Sequence, residues 1–145
     1  MKIPAPADIK EAAGSDPDID PDGDGIDIID VSGSTFKGKM MVVYDPSRVF
    51  VGISGKFGLE EHGKTLPEIY DSYDNIVGAI NGGGFDDRPG HMTGGEPWGI
   101  VMSQGEVLWG TPMYYTWDTI GITCDNKLVV GRMTVQEAVH MGVRD

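Results

Sequence analysis

The segment Ala79-Ile80-Asn81-Gly82-Gly83-Gly84-Phe85-Asp86 brings together the residue types of a ligand-binding loop. It continues an apolar run, residues 76–80, which predicts a strand buried on both faces. The three glycines leave room for a ligand to reach the backbone, and their N–H groups can form an anion-binding nest. Asn81 offers donors and an acceptor that suit sugar hydroxyls or phosphate oxygens. The pattern supports equally well a tight turn at the end of the strand, in which Asn81 binds its own backbone.

The residues that follow the glycines add three candidates, Asp86, His91 and Trp98. His91 lies in a polar loop, and Trp98 is expected near the same loop, where an aromatic face can bind a sugar or pack against the core. The histidines show no His-x-x-His or His-Glu spacing, and Cys124 is the single cysteine. The sequence therefore assigns no metal site and no disulfide.

A run of acidic residues near the start of the chain is a weaker candidate site. Asp18, Asp20 and Asp22, followed by Gly23, match the opening of a calcium-binding loop. The twelfth position of that loop is Ile29, where a bidentate glutamate is needed, and prolines separate the acids. Residues 1–25 are therefore interpreted as an acidic, flexible leader or linker, with a calcium site as the alternative.

The elements that must position these residues are short. Strands are predicted over residues 26–31, 39–44, 49–53, 76–80, 99–102, 106–109, 119–123 and 127–130. Capping-box patterns at Thr65 and Thr134 predict two short helices, the second stopping at Gly142. The expected fold class is α+β, a mixed curved β-sheet with short hairpins, in a single incomplete domain over residues 26–145.

Composition restricts the classes of partner. The formal net charge is −12, with 11 basic against 23 acidic residues, which argues against non-specific nucleic-acid binding because such binding needs a basic face. No apolar stretch approaches the 18 residues of a transmembrane helix, and no membrane segment is expected in this chain.

The block at 79–101 carries a more specific pattern. The chain contains Ala-Ile-Asn-Gly-Gly-Gly-Phe-Asp at 79–86, Gly-Gly-Glu-Pro-Trp-Gly-Ile-Val at 94–101 and a Ser-Gln-Gly-Glu-Val hairpin. These three segments resemble the phosphodiester glycosidase family. That family includes N-acetylglucosamine-1-phosphodiester α-N-acetylglucosaminidase and bacterial proteins of exopolysaccharide biosynthesis. Four further segments resemble the Gram-positive branch of this family: residues 36–43, 45–49, 63–65 and 126–131. The resemblance therefore extends over residues 30–145.

The resemblance implies hydrolysis of a sugar-1-phosphodiester at the glycosidic C–O bond, without a cofactor, in a cell-surface glycan or its precursor. It transfers substrate binding to Asn81, Gly82 and Gly83, and we expect Gly84, His91 and Trp98 to join them. Asp86 is the candidate catalytic carboxylate. Either it or Asp87 could stabilise oxocarbenium-like charge or orient a water, with a solvated loop acid as the alternative.

Family members continue with an Arg-Thr segment and an Asp-Gly-Gly-Gly-Ser loop that this sequence does not contain. We therefore expect an N-terminal part of the domain, from an extracellular or cell-surface protein. Its expected partners are a sugar phosphate or polysaccharide, and either a second copy or a chain that supplies the missing C-terminal half. The alternative function is a non-catalytic module that binds a phosphosugar or cell-wall glycan.

Overall fold

The computed structural model describes residues 23–110 and 114–145. The chain divides into two compact units, one ending at Val49 and the other spanning Phe50–Asp145. The leader predicted over residues 1–25, with Asp18, Asp20 and Asp22, falls almost entirely outside the described residues, and its boundary near Gly25 stays a prediction.

The first unit is built on one β-hairpin. Strands β1 (Ile26–Ser32) and β2 (Lys37–Val43) pair antiparallel, in a register that joins Ile26 to Val43 and Ser32 to Lys37. The Gly33 N–H donates to the Phe36 carbonyl at 2.9 Å and closes the turn. A single 3-10 turn, Pro46–Arg48, follows β2.

The second unit contains two hairpins and two helices. In chain order they are α1 (Leu66–Tyr70), β3 (Val101–Ser103), β4 (Glu106–Trp109), β5 (Trp117–Ile122), β6 (Leu128–Met133) and α2 (Val135–His140). β3 pairs antiparallel with β4, and β5 with β6. Gln104 and Gly105, at φ 52° and 83°, form the β3–β4 turn with the two left-handed residues that a tight hairpin favours.

The core of the second unit lies beneath these hairpins. Its buried cluster consists of Met102, Met133, Ala138 and Val143, against which Ile100 and Val129 pack. Helix α2 contributes Ala138 to this cluster and also buries Val135, which is 1% exposed. A helix as short as α2 can cover these short strands, because burial of the helix's apolar face, rather than its helix propensity, stabilises it.

Both predicted helices are confirmed, with the capping groups that the sequence indicates. The Thr134 N–H donates to Glu137 Oε2 at 2.8 Å, and the Glu137 N–H donates to the Thr134 hydroxyl at 3.2 Å. The Thr65 N–H donates to the Glu68 carboxylate at 2.7 Å. Gly142, at φ 71°, follows the C-cap residue Met141 and ends that helix.

The fold class is α+β, dominated by strands in short hairpins and accompanied by two short helices. In the described part of the chain the strands form three two-stranded antiparallel sheets. No helix of that part is both long and apolar enough to cross a lipid bilayer.

Two predicted strands are wrong. Residues 49–53 do not form one, because other groups bind their backbone: the Val51 N–H donates to Asp145 Oδ1 at 3.1 Å and the Ile53 N–H to the Tyr73 hydroxyl at 3.1 Å. Residues 76–80 are irregular, and Val77 and Ile80 are 65% and 89% exposed rather than buried. None of the three sheets places a strand beside this run, so its apolar side chains lack the neighbours that a buried strand needs.

Candidate functional site

Two backbone hydrogen bonds close the polar loop that follows the glycines. Phe85 and Pro97 face each other in an isolated antiparallel bridge. On either side of it, the Asp86 N–H donates to the Glu96 carbonyl at 2.8 Å and the Trp98 N–H donates to the Gly84 carbonyl at 2.9 Å. Asp86 and Glu96, ten positions apart in the sequence, therefore become neighbours at the base of the loop.

The same loop is anchored to a second segment, residues 58–63. The Gly58 N–H donates to the Gly95 carbonyl and the Gly63 N–H to the Thr93 carbonyl, each at 2.8 Å. Only glycine fits at position 95, because a Cβ there would lie 2.3 Å from the Glu61 carbonyl oxygen. This close approach holds the residue next to Glu96 in place.

Inside the loop, a turn brings His91 back toward the base. The His91 N–H donates to the Arg88 carbonyl at 2.8 Å, and Gly90 between them has φ 90°. His91 Nδ1 lies 2.5 Å from Glu96 Oε2 and 3.8 Å from Asp86 Oδ2. With the proton on Nδ1, the imidazole donates to the Glu96 carboxylate, which orients the ring.

Asp86 is the buried member of this group, with 6% of its surface exposed. The Arg88 guanidinium donates hydrogen bonds to both carboxylate oxygens of Asp86, with Nε 2.9 Å from Oδ1 and Nη2 2.5 Å from Oδ2. The Arg88 backbone N–H adds a further bond to Oδ1 at 3.1 Å. We call Asp86, Arg88, His91 and Glu96 the Asp86 cluster.

The Arg88 guanidinium lowers the pKa of Asp86. Its side-chain hydrogen bonds lower the pKa of that carboxyl from 3.8 to about 2, and they outweigh burial, which raises it. Asp86 therefore remains an anion throughout the neutral range. Because its pKa is lowered by folding, the stability that it contributes is fully present above the unfolded value of 3.8 and is lost as the pH falls through about 2.

The glycine segment itself is exposed. Gly82, Gly83 and Gly84 do not have left-handed φ angles, so the alternating backbone of an anion-binding nest is absent from these three residues. A Cβ added at Gly82 or Gly83 would meet nothing within 4 Å. Asn81 Nδ2 donates to the Gly83 carbonyl at 3.4 Å, a long bond of the kind that the turn interpretation predicts.

The sequence candidates fall into two neighbouring groups. Asp86 and His91 meet in the Asp86 cluster, while Trp98, 59% exposed, lies against Gly84, from which a Cβ would be 3.7 Å from its ring. Sequence reasoning missed Arg88 and Glu96. The signals that point to them are the Asp-x-Arg spacing and the repeated five-residue interval from Asp86 to His91 to Glu96.

The cluster also has the composition of a metal-binding site. One ligand atom from each of Asp86, His91 and Glu96 lies within 4.8 Å of the others. A separate apolar cleft between β4 and α2, lined by Val107, Val135 and Val139 among others, contains none of these residues.

Comparison of the chain with known protein families, with curated proteins and with solved structures found no match.

Alanine substitutions separate glycines that the fold needs from glycines that it does not. We expect Gly95→Ala to lower the free energy of unfolding by about 1–3 kcal/mol, because the new Cβ overlaps backbone oxygens. Gly82→Ala and Gly83→Ala, which enter open space, should cost less than about 0.5 kcal/mol. Urea unfolding of the three variants measures these free energies. A decrease in the free energy of unfolding for Gly82→Ala or Gly83→Ala as large as that for Gly95→Ala would contradict the prediction.

Removal of the Arg88 guanidinium should raise the pKa of Asp86. In Arg88→Ala we expect that pKa to rise from about 2 toward 3.8, because its largest cause, the side-chain hydrogen bonds, is lost while the backbone N–H of residue 88 still donates to Oδ1. Side-chain carboxyl ¹³C shifts followed by NMR against pH report this value directly. Arg132→Ala, which removes an exposed arginine 3.5 Å from Asp118, is the control and should leave Asp86 unchanged. A pKa that stays near 2 in Arg88→Ala would show that another group holds it down.

Proposed function

We propose that this protein hydrolyses a sugar-1-phosphodiester at the glycosidic C1–O bond, in a cell-surface glycan or its precursor. The observation that carries the proposal is the position of Asp86, a buried and ionised carboxylate two residues beyond Gly84 and 3.8 Å from the His91 imidazole. The resemblance of residues 79–101 to phosphodiester glycosidases supplies the reaction type.

This reaction needs little help from a general acid. The water oxygen bonds to C1, the bond from C1 to the phosphate oxygen breaks, and the electron pair leaves with the phosphate. One proton of the water stays on the new sugar hydroxyl, and the other passes to the released phosphate or to solvent. A phosphate is a good leaving group, so the main demand is to stabilise the positive, oxocarbenium-like charge that develops on the sugar. Asp86 suits that task, because its lowered pKa keeps it charged at neutral pH.

The phosphate would be bound by donors around this carboxylate. Arg88 has five N–H donors, and its side chain is 70% exposed, so it can donate to a phosphate oxygen while it holds Asp86. Asn81 adds a side-chain amide donor, and Gly82 and Gly83 leave their backbone open to the ligand. Trp98, against Gly84, offers an exposed ring face to the sugar.

A non-catalytic binding module is the second candidate, and one observation favours it. Arg88 already donates to both oxygens of Asp86, so the charge of this carboxylate is paired within the protein rather than left for a developing positive charge on the sugar. In that case the same residues would bind a phosphosugar or cell-wall glycan without cleaving it.

Hydrolysis of a methyl N-acetylglucosamine-1-phosphodiester tests the proposal. We expect the chain to release free sugar and methyl phosphate, and Asp86→Asn to lower kcat by at least about 100-fold, since the charge that stabilises the transition state is lost. In ¹⁸O-labelled water the methyl phosphate should contain no ¹⁸O by ³¹P NMR, because the bond that breaks is C1–O.

The neighbouring Asp87→Asn is the matched control and should keep kcat within about twofold, since the Asp87 side chain is exposed to solvent. Thermal unfolding of both variants checks that the loop still folds. Incorporation of ¹⁸O into phosphate would make the protein a phosphodiesterase, and binding of the diester without turnover would select the second candidate. Absence of both binding and turnover would overturn the proposal.

A further inference from the structure

The Asp86 cluster contains three ligands that different parts of one loop bring together. We propose that Asp86, His91 and Glu96 bind one divalent transition-metal ion of the zinc type, each through a single ligand atom. The inference stands apart from the proposed hydrolysis, because binding of the ion needs no sugar phosphate and is measured without one.

The distances fit an ion after small movements. Four ligands at about 2.0–2.1 Å in tetrahedral geometry lie about 3.3 Å from one another. His91 Nδ1 lies 2.5 Å from Glu96 Oε2 and 3.8 Å from Asp86 Oδ2. The first pair has to open by less than about 1 Å and the second to close by about 0.5 Å. The ion would take the place of the proton that His91 and Glu96 share.

The donor chemistry selects the class of ion. Imidazole nitrogen binds zinc and its neighbours well, whereas calcium and magnesium prefer all-oxygen ligands. Two carboxylates neutralise the double positive charge, and three protein ligands leave a fourth position for water, as in open zinc sites.

The supporting bonds would keep the ligands oriented. Asp86 and Glu96 are fixed to each other by the 2.8 Å backbone hydrogen bond between them, and Gly95 is pressed against Glu61. Asp86 Oδ1 accepts from the backbone N–H of Arg88 at 3.1 Å and keeps that bond when the guanidinium moves. Oδ2 accepts from both Nη2 and Nε, and becomes the ligand once the guanidinium turns away from it. Such bonds to a ligating carboxylate commonly contribute to metal affinity.

Isothermal titration with Zn²⁺ and absorption spectroscopy with Co²⁺ test the site. The expected result is one ion per chain in tetrahedral coordination, together with a change in the ¹⁵N shift of His91 Nδ1. Asp86→Asn, His91→Ala and Glu96→Gln should each weaken binding by at least about 100-fold, more than loss of a supporting residue does. Excess Ca²⁺ should not displace the ion.

Matched controls exclude other ligands. His62→Ala and Asp87→Asn should bind with unchanged affinity, and every titration is repeated in Cys124→Ser because that thiol is exposed. Circular dichroism without metal identifies any variant that fails to fold, and the His91 ¹⁵N signature of the unaltered chain then decides the outcome alone. Affinity that is unchanged in the three ligand variants, an unshifted His91 signal, or wild-type binding no tighter than that of His91→Ala would each overturn the inference.

Discussion

The candidate site depends on one pair of backbone hydrogen bonds, those that join Asp86 to Glu96 and Trp98 to Gly84 across the Phe85–Pro97 bridge. Closing a loop of this length costs conformational entropy, and two interstrand bonds alone offset little of it. The attachment of Gly95 to the segment around Glu61 supplies further contacts. The approach of Glu96 to Asp86 and His91 follows from this closure, whereas the bonds between Asp86 and Arg88 are local.

The charges of the cluster explain why its polar groups tolerate partial burial. Two carboxylates close together repel each other, and each has acquired a partner: the Arg88 guanidinium for Asp86 and the His91 imidazole for Glu96. The result is an anionic group beside an oriented ring. Both proposals use this charge, since an oxocarbenium-like sugar and a divalent metal ion are each stabilised by fixed carboxylates.

Features set by local sequence were predicted well, and features set by distant contacts were not. The helices at Thr65 and Thr134 and the turn at Gln104 depend on residues within four positions of one another. The backbone of residues 49–53 is instead bound by Asp145 and Tyr73, which no local pattern reveals. Likewise Asp86 and His91 were recognisable as candidates from their residue types, whereas Glu96 joined them only through the bridge.

Hydrogen exchange at the Asp86 and Trp98 amides tests the closure of the loop most directly. These are the two N–H groups that donate across the bridge, so NMR should find both exchanging at least about tenfold more slowly than in the urea-unfolded chain. They should also lose protection together when Gly95 is replaced by alanine. Exchange of both amides at the unfolded rate in the native protein would contradict the account, because Asp86 and Glu96 would then not be held as neighbours.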